Sequence, residues 1–369
     1  MHVIACASSG QGGHVVVLRG LVPRGAGARL LCRITAAALL LGAAAACDAS
    51  DALAPDDVPT DVAPVSKPAG GGAGPASASP FASMQLHVSP TSRALKQADL
   101  WRTNRPADAA YMTRVGAHPV ASWFNEWTGD VTTAVDTELT VASVGGRLAV
   151  LVAYNIPQRD CGLYSAGGAS SPDAYRSWIR SFAAGFRGRK AVVVLEPDAI
   201  ATITCLAADR QEERYTLLRE AVSVLRDAGA MVYLEVGHAR WLTPEAAAAR
   251  LAKAGIDRAQ GFALNVSNFI PTAENVTYGN TLSAQTGGKR YIIDTSRNGL
   301  GPAAGNVWCN PDGRALGDLP TTRSAHALVD ALLWVKVPGE SDGTCNGGPT
   351  AGGWWGDYAL GLARRSPTL

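Results

Sequence analysis

The chain has 369 residues, 47% of them apolar and 17% charged, with 33 Lys and Arg against 31 Asp and Glu. This length supports a large domain with a full core and excludes a small scaffold held together by disulfides alone. A net charge of +2 gives no electrostatic case for nucleic-acid binding.

Residues 1–23 match no signal pattern, which leaves the true start codon open. Arg24, Arg29 and Arg33 then precede an apolar run of about 13 residues, Ile34 to Ala46. That run is too short to cross a bilayer and has the length of an export-signal core. It ends in Ala44-Ala45-Ala46-Cys47. Residues 1–47 are therefore read as a leader that directs the chain out of the cytoplasm. Two endings stay open: simple cleavage giving a secreted protein, or lipidation of Cys47 as in a bacterial cell-surface lipoprotein. Residues 48–80 are mostly Ala, Pro, Gly, Ser and Asp. Such a segment cannot bury enough surface to offset its ordering entropy, so it is read as a disordered linker. From Phe81 to Leu369 the composition is globular, without internal repeats.

Within 81–369, apolar runs predict strands over 120–124, 148–154, 191–195, 231–236, 261–266, 290–293 and 332–337. They are apolar on both faces, as in a parallel sheet covered by helices. Between them, 173–186, 243–254 and 322–333 read as helices. Tyr215, Leu218, Val222 and Leu225 keep helical spacing, with Gly229 as the stop. About seven β–α units in this length predict an α/β fold, a distorted (β/α) barrel of mainly parallel strands with its site at the strand C-termini. No GxGxxG follows the early strands, which argues against a dinucleotide cofactor.

Seven cysteines form no CxxC or Cys/His cluster, so no metal is expected. Four of them, Cys161, Cys205, Cys309 and Cys345, lie in the globular part, a number that suits two disulfides in an exported chain.

The residues after the predicted strands carry the chemistry. Asp160 follows the second strand, and Glu196 and Asp198 follow the third. Glu235 and His238 close the fourth, Asp294 the sixth, and Lys336, Glu340 and Asp342 the last. Trp123, Trp127, Trp241 and Trp308 lie among them. A single such Asp is more often a helix cap, and a single Trp more often core. Acids on five strand ends beside several indoles suit sugar chemistry better. Glycosidic cleavage needs one protonated carboxyl and one carboxylate, crowded acids raise one another's pKa, and indoles stack on pyranose faces.

Six segments in order resemble glycoside hydrolase family 6, the inverting β-1,4-glucanases and cellobiohydrolases. They are Tyr154-Asn-Ile-Pro-Gln-Arg-Asp-Cys161, Leu195-Glu-Pro-Asp198, Tyr233-Leu-Glu-Val-Gly-His-Ala239, Asp294-Thr-Ser-Arg-Asn-Gly299, Trp308-Cys-Asn310 and Trp334-Val-Lys-Val-Pro-Gly-Glu-Ser-Asp-Gly343. The resemblance covers 81–369 and implies a barrel of about seven strands with a β-1,4-glucan, cellulose or a cello-oligosaccharide, across the strand C-termini. It implies Asp198 as general acid, Asp160 as the carboxylate that raises the acid's pKa, and Asp342 as the proposed base. It implies Tyr154 as the residue favouring a distorted sugar, and Ser165 as the serine that positions water. His238, Trp241, Asn265, Trp308, Lys336 and Glu340 correspond to subsite contacts. Trp123 or Trp127 supplies a further platform, with the choice open. The implied disulfides are Cys161–Cys205 and Cys309–Cys345.

One position departs from the family pattern: Glu235 stands where Asp is usual. This keeps a non-catalytic glucan-binding protein among the readings. Cellobiohydrolases of the resembled family carry long loops after the Asp-Gly motif that roof a tunnel, so the short, Gly-rich stretch at 344–353 implies an open cleft and internal cleavage. A cellobiohydrolase or a mixed-linkage β-glucanase stays open as an alternative. A monomer without cofactor is expected.

Overall fold

The computed structural model describes residues 79–369. The leader at 1–47, with Cys47, and the linker at 48–80 except its last two residues lie outside the described residues.

Seven parallel strands form one sheet in sequential order, β1 to β7. They are β1 (Ser122–Phe124), β2 (Val150–Ala153), β3 (Ala191–Leu195), β4 (Ala230–Glu235), β5 (Gly261–Leu264), β6 (Arg290–Asp294) and β7 (Val329–Leu333). The predicted barrel is therefore present, but its ring is left open. Among the described residues no ladder joins β7 to β1. The seam is crossed by Ala121 N–H donating to Trp334 O at 3.0 Å and by the Trp123 indole N–H donating to Val335 O at 2.8 Å.

Alternate residues of each strand face two different cores, the period-two rule of a sheet buried on both sides. Val192 and Val194 of β3 point inward, together with Val150, Val152, Tyr233, Ala263 and Ile292. Ala191, Val193 and Leu195 point outward to the helices. Phe81, fully buried, plugs the interior and meets Tyr233 edge-on at 6.2 Å.

The outer layer is α1 (Arg93–Trp101), α2 (Pro106–Gly116), α3 (Val131–Val144), α4 (Pro172–Ala184), α5 (Ala208–Asp227), α6 (Pro244–Ala254), α7 (Thr272–Gln285) and α8 (Gly356–Arg364). Local chemistry sets several ends. Ser171 and Thr243 cap α4 and α6, each followed by a proline in the first turn, where its missing N–H is harmless. Gly255 ends α6 at φ 89°, a conformation a side chain would strain. Of the predicted helices, 173–186 and 243–254 match α4 and α6 to within two residues, and the Tyr215–Leu225 pattern lies in α5.

One helix prediction is corrected. Residues 322–333 are not helical; their last five form β7 beside β6. Asp330 sits inside that strand and is held by Arg290 and by Tyr233 OH at 2.6 Å. The predicted last strand is displaced as well, because the ladder ends at Leu333.

Candidate active site

At the C-terminal ends of the strands the backbone takes an uncommon form. Gln158, Asp160 and Cys161 after β2, Glu196 and Asp198 after β3, Asn265 and Ser267 after β5, and Asn310 all have φ between 46° and 68°. Left-handed backbone on residues with a side chain persists only where the surroundings hold it.

Three buried carboxyl groups, each at the end of one strand, hold part of this backbone, Asp198 and Ser267 directly. Glu196 accepts Asn155 N–H at 2.9 Å and Ile156 N–H at 3.0 Å, tying β3 to the end of β2. Glu235 accepts Asp198 N–H at 2.7 Å and Gly237 N–H at 2.6 Å, tying β4 to the turn after β3. Asp294 accepts Ser267 N–H at 3.0 Å, Ser296 N–H at 2.9 Å, Val335 N–H at 3.2 Å and Lys336 N–H at 2.9 Å, tying β5, β6 and β7. These acids add side-chain ties to the main-chain bonds that continue past the strand ends, such as Asn265 N–H to Gly237 O at 2.8 Å and Thr295 N–H to Leu333 O at 2.8 Å.

Asp160, Asp198 and Asp342 face a different way. They line a common cavity of about 350 Å³ with Tyr154, Ser165, Trp123, His238, Trp241, Trp308 and Lys336. Burial and the nearby Asp160 charge push Asp198 up to about 7, against the opposing pull of Lys336 and the Tyr154 hydroxyl. Asp198 therefore carries a proton at mildly acidic pH. Burial also raises Asp160, whose Oδ2 accepts Ser165 N–H at 2.7 Å.

Asp342 is the opposite case. Although burial opposes its charge, Arg297 and Lys336 hold its pKa below the ordinary range. Arg297 Nη1 lies 2.8 Å and Lys336 Nζ 3.2 Å from its oxygens. Asp342 and Asn310 also grip one another, Asn310 N–H donating to Oδ2 at 3.0 Å and Asp342 N–H to Asn310 Oδ1 at 2.8 Å. One cavity thus combines a protonated carboxyl with an ionised one.

The walls are aromatic. Trp123 meets Tyr154 edge-on at 5.2 Å. Trp241 packs over Gly237, where a Cβ would come within 3.0 Å of the indole, and lies 5.4 Å from His238. Burial lowers His238 to about 4, so it is neutral above that pH. Trp308 lies 6.0 Å from Tyr164, whose ring rests on Gly343, joining the loops of Asp160 and Asp342.

A second groove of about 590 Å³ shares Trp123, Tyr154, Ser165 and Lys336 with the first, so the two form one trough. Trp127 and Glu340 line only this outer part, Trp127 being 71% exposed and Glu340 lying 3.2 Å from Arg93. Asn265 belongs to neither part. It is fully buried, and its amide is spent on Asp294 O at 2.9 Å and Ile270 N–H at 3.1 Å. The expected subsite contact is thus corrected to a support beneath the wall. Among the described residues no group of three His, Cys, Asp or Glu is placed to hold a metal.

Residues 81–366 match the family described as Glycosyl hydrolases family 6. The chain belongs to glycosyl hydrolase family 6. It is 41% identical over 287 residues to Endoglucanase A of Cellulomonas fimi, covering 76% of this chain and 61% of that one. It is 43% identical over 268 residues to Endoglucanase 1 of Streptomyces halstedii, covering 69% and 82%. This chain thus spans less than two thirds of the Cellulomonas protein's length. Among solved structures, the endoglucanase Cel6 from Mycobacterium tuberculosis, in complex with methyl-cellobiosyl-4-deoxy-4-thio-β-D-cellobioside, superposes with a TM-score of 0.74 at 45% identity. The match covers 78% of this chain and 99% of that one.

Both disulfides expected from the family 6 resemblance are present, Cys161–Cys205 and Cys309–Cys345. They tie down the loops that carry Asp160 and Asp342. Arg297, Asn310 and Arg159 were given no role in the sequence reading. Arg159 is buried and holds the Asp160 loop through Ser165 O at 2.8 Å, while Glu126 pairs with its guanidinium at 2.6 Å. Arg297 and Asn310 stand inside motifs already singled out, and a buried carboxylate demands such partners. Nothing in the sequence says which neighbour answers that demand.

Proposed function

We propose that this family 6 chain is an inverting endo-β-1,4-glucanase. The observation that carries the reading is Asp198, a carboxyl that keeps its proton up to about pH 7 in a cavity walled by indoles. In this reading Asp198 gives its proton to the glycosidic oxygen while the C1–O bond breaks and its electron pair stays on that oxygen. Water attacks C1 from the opposite face, so the configuration inverts in one displacement. Asp160 and the ionised Asp342 stabilise the positive charge that grows at C1. Asp342 is the group available to take up the water's proton, directly or through a second water, at the expense of its bond to Lys336 or Arg297. Ser165, beside Asp160, positions the attacking water, and Tyr154 crowds the sugar at the cleavage point.

The substrate class is supported by the platforms along the trough and by the cellobioside analogue bound to the Mycobacterium relative. Internal cleavage is supported by the short stretch at 344–353 and by the endoglucanases among the relatives. The test is carboxymethylcellulose, with viscosity and reducing ends followed together beside Asp198→Asn. A rapid viscosity fall with few new ends, absent in the variant, is expected. Slow viscosity loss with abundant new ends would overturn the endo mode, and no hydrolysis at all would overturn the enzyme. NMR of the first products should show the α-anomer; the β-anomer would exclude inversion.

Export is part of the same proposal, resting on the leader at 1–47. If Cys47 bears a lipid, Cys47→Ser releases the protein from the membrane fraction; unchanged fractionation means ordinary cleavage.

A further inference from the structure

We infer that Glu235 is a positioning residue for the general acid, acting on its backbone. The inference rests on the reading of Asp198 as the acid.

The register shows why a long side chain is needed. In the β3–β4 ladder Leu195 is opposite Leu234, so Asp198 lies three residues beyond the last pair. There Asp198 sits in left-handed backbone at φ 68°, and Glu196, two residues earlier, does so at φ 48°. Two such residues flanking a proline make a costly turn that needs an external hold. Glu235 is the last residue of β4, only 1% exposed, and its carboxylate reaches forward to Asp198 N–H at 2.7 Å. Its other oxygen takes Gly237 N–H at 2.6 Å, which fixes the direction of the side chain. Both oxygens thus accept main-chain donors, while burial and the nearby Asp198 charge raise the Glu235 pKa. The extra methylene of Glu235 fits this reach, so the departure from Asp leaves the acid held.

Without this clamp, the part-buried Asp198 N–H and the buried Gly237 N–H lose their acceptor and the Asp198 turn is free to relax. An acid displaced by about 1 Å delivers its proton poorly. The cost falls on substrates whose leaving group needs that proton, not on those that leave unaided.

The experiment compares wild type, Glu235→Ala, Glu235→Gln and Asp198→Asn on cellotetraose and on 2,4-dinitrophenyl β-cellotrioside, whose phenolate departs without a proton. For Glu235→Ala, kcat on cellotetraose should fall roughly 100-fold, within the range a general acid contributes. On the dinitrophenyl substrate it should fall less than about threefold, with KM on both nearly unchanged. Glu235→Gln keeps one acceptor and should show the same selective loss, but smaller; it decides the matter if the alanine variant does not fold. Equal losses on both substrates, or no loss on cellotetraose, would overturn the inference. Asp198→Asn separates the two readings. If it too loses both substrates equally, Asp198 is not the acid and both readings fail. If it spares the dinitrophenyl substrate while the Glu235 variants do not, only the inference about Glu235 fails.

Discussion

Arg297 Nη1 lies 2.8 Å from Asp342 Oδ2, and both side chains are almost wholly shielded from solvent. The guanidinium also lies 4.4 Å from the Phe269 ring. A pair of this kind costs much to desolvate, and removing one member leaves the other charged and buried. Arg297→Ala should therefore lower stability by about 3–5 kcal/mol in a urea titration. It should also raise the pKa of Asp342, which then has Lys336 as its remaining nearby cation, and so move the acid limb of activity to higher pH. An unchanged denaturation midpoint would show that the pair contributes nothing.

Asp198 sets the other limb. Its pKa is pushed up to about 7 by burial and by Asp160, so the acid is lost as pH rises through that value. Log kcat on cello-oligosaccharides should decline above about pH 7 with unit slope. Asp198→Asn should abolish this limb and lower kcat by about 10²–10⁴-fold while circular dichroism stays native. A flat profile from pH 6 to 9 in the wild type would remove Asp198 from the role.

Stability should depend on pH in the direction set by the buried acids. Burial raises Glu196 from an ordinary 4.5 to about 7. Between those values the folded state holds more protons than the unfolded one, so stability falls as pH rises from about 4.5 to 7. Asp342, held low, acts in the opposite sense and loses its contribution as pH drops below the ordinary carboxylate range. Melting temperature should therefore peak near pH 4–5 and fall by several degrees on reaching pH 8. A peak at pH 8 would contradict the raised pKa of Glu196.

The disulfides should matter to the site more than to the barrel. Cys161–Cys205 closes 44 residues and Cys309–Cys345 closes 36. Each removal should cost roughly 2–4 kcal/mol. Cys161→Ser with Cys205→Ser should cut activity well before unfolding begins, when activity and tryptophan fluorescence are followed together in urea. Coincident transitions would mean that the loop and the barrel melt as one unit.

The sequence made some of this legible and hid the rest for identifiable reasons. The bounds of β3 follow directly from 191–195, because a run of five apolar residues ends at a glutamate and a proline. The stretch from Thr322 to Val337 was misread because its apolar residues suit either period, and the demand of β6 for a partner decided it. Asp198 and Asp342 could be singled out by motif, but side-chain direction could not. Glu196, Glu235 and Asp294 look like cleft acids in the sequence, yet in the fold they turn back onto main-chain N–H groups. Asn265 was misplaced for the same reason: a polar residue at a strand end says nothing of whether the wall or its foundation uses it.

The seam between β1 and β7 has one more consequence. In a closed barrel the radius is fixed by strand number and shear, and side chains must fit what is given. Here the first and last strands are joined through Ala121 and the Trp123 indole rather than by a ladder. The diameter is thus released from the arithmetic of the sheet. The width of the trough then depends on the two bonds that bridge the gap, one of them made by the Trp123 side chain, and substitutions at Trp123 should resize it without re-registering a single strand.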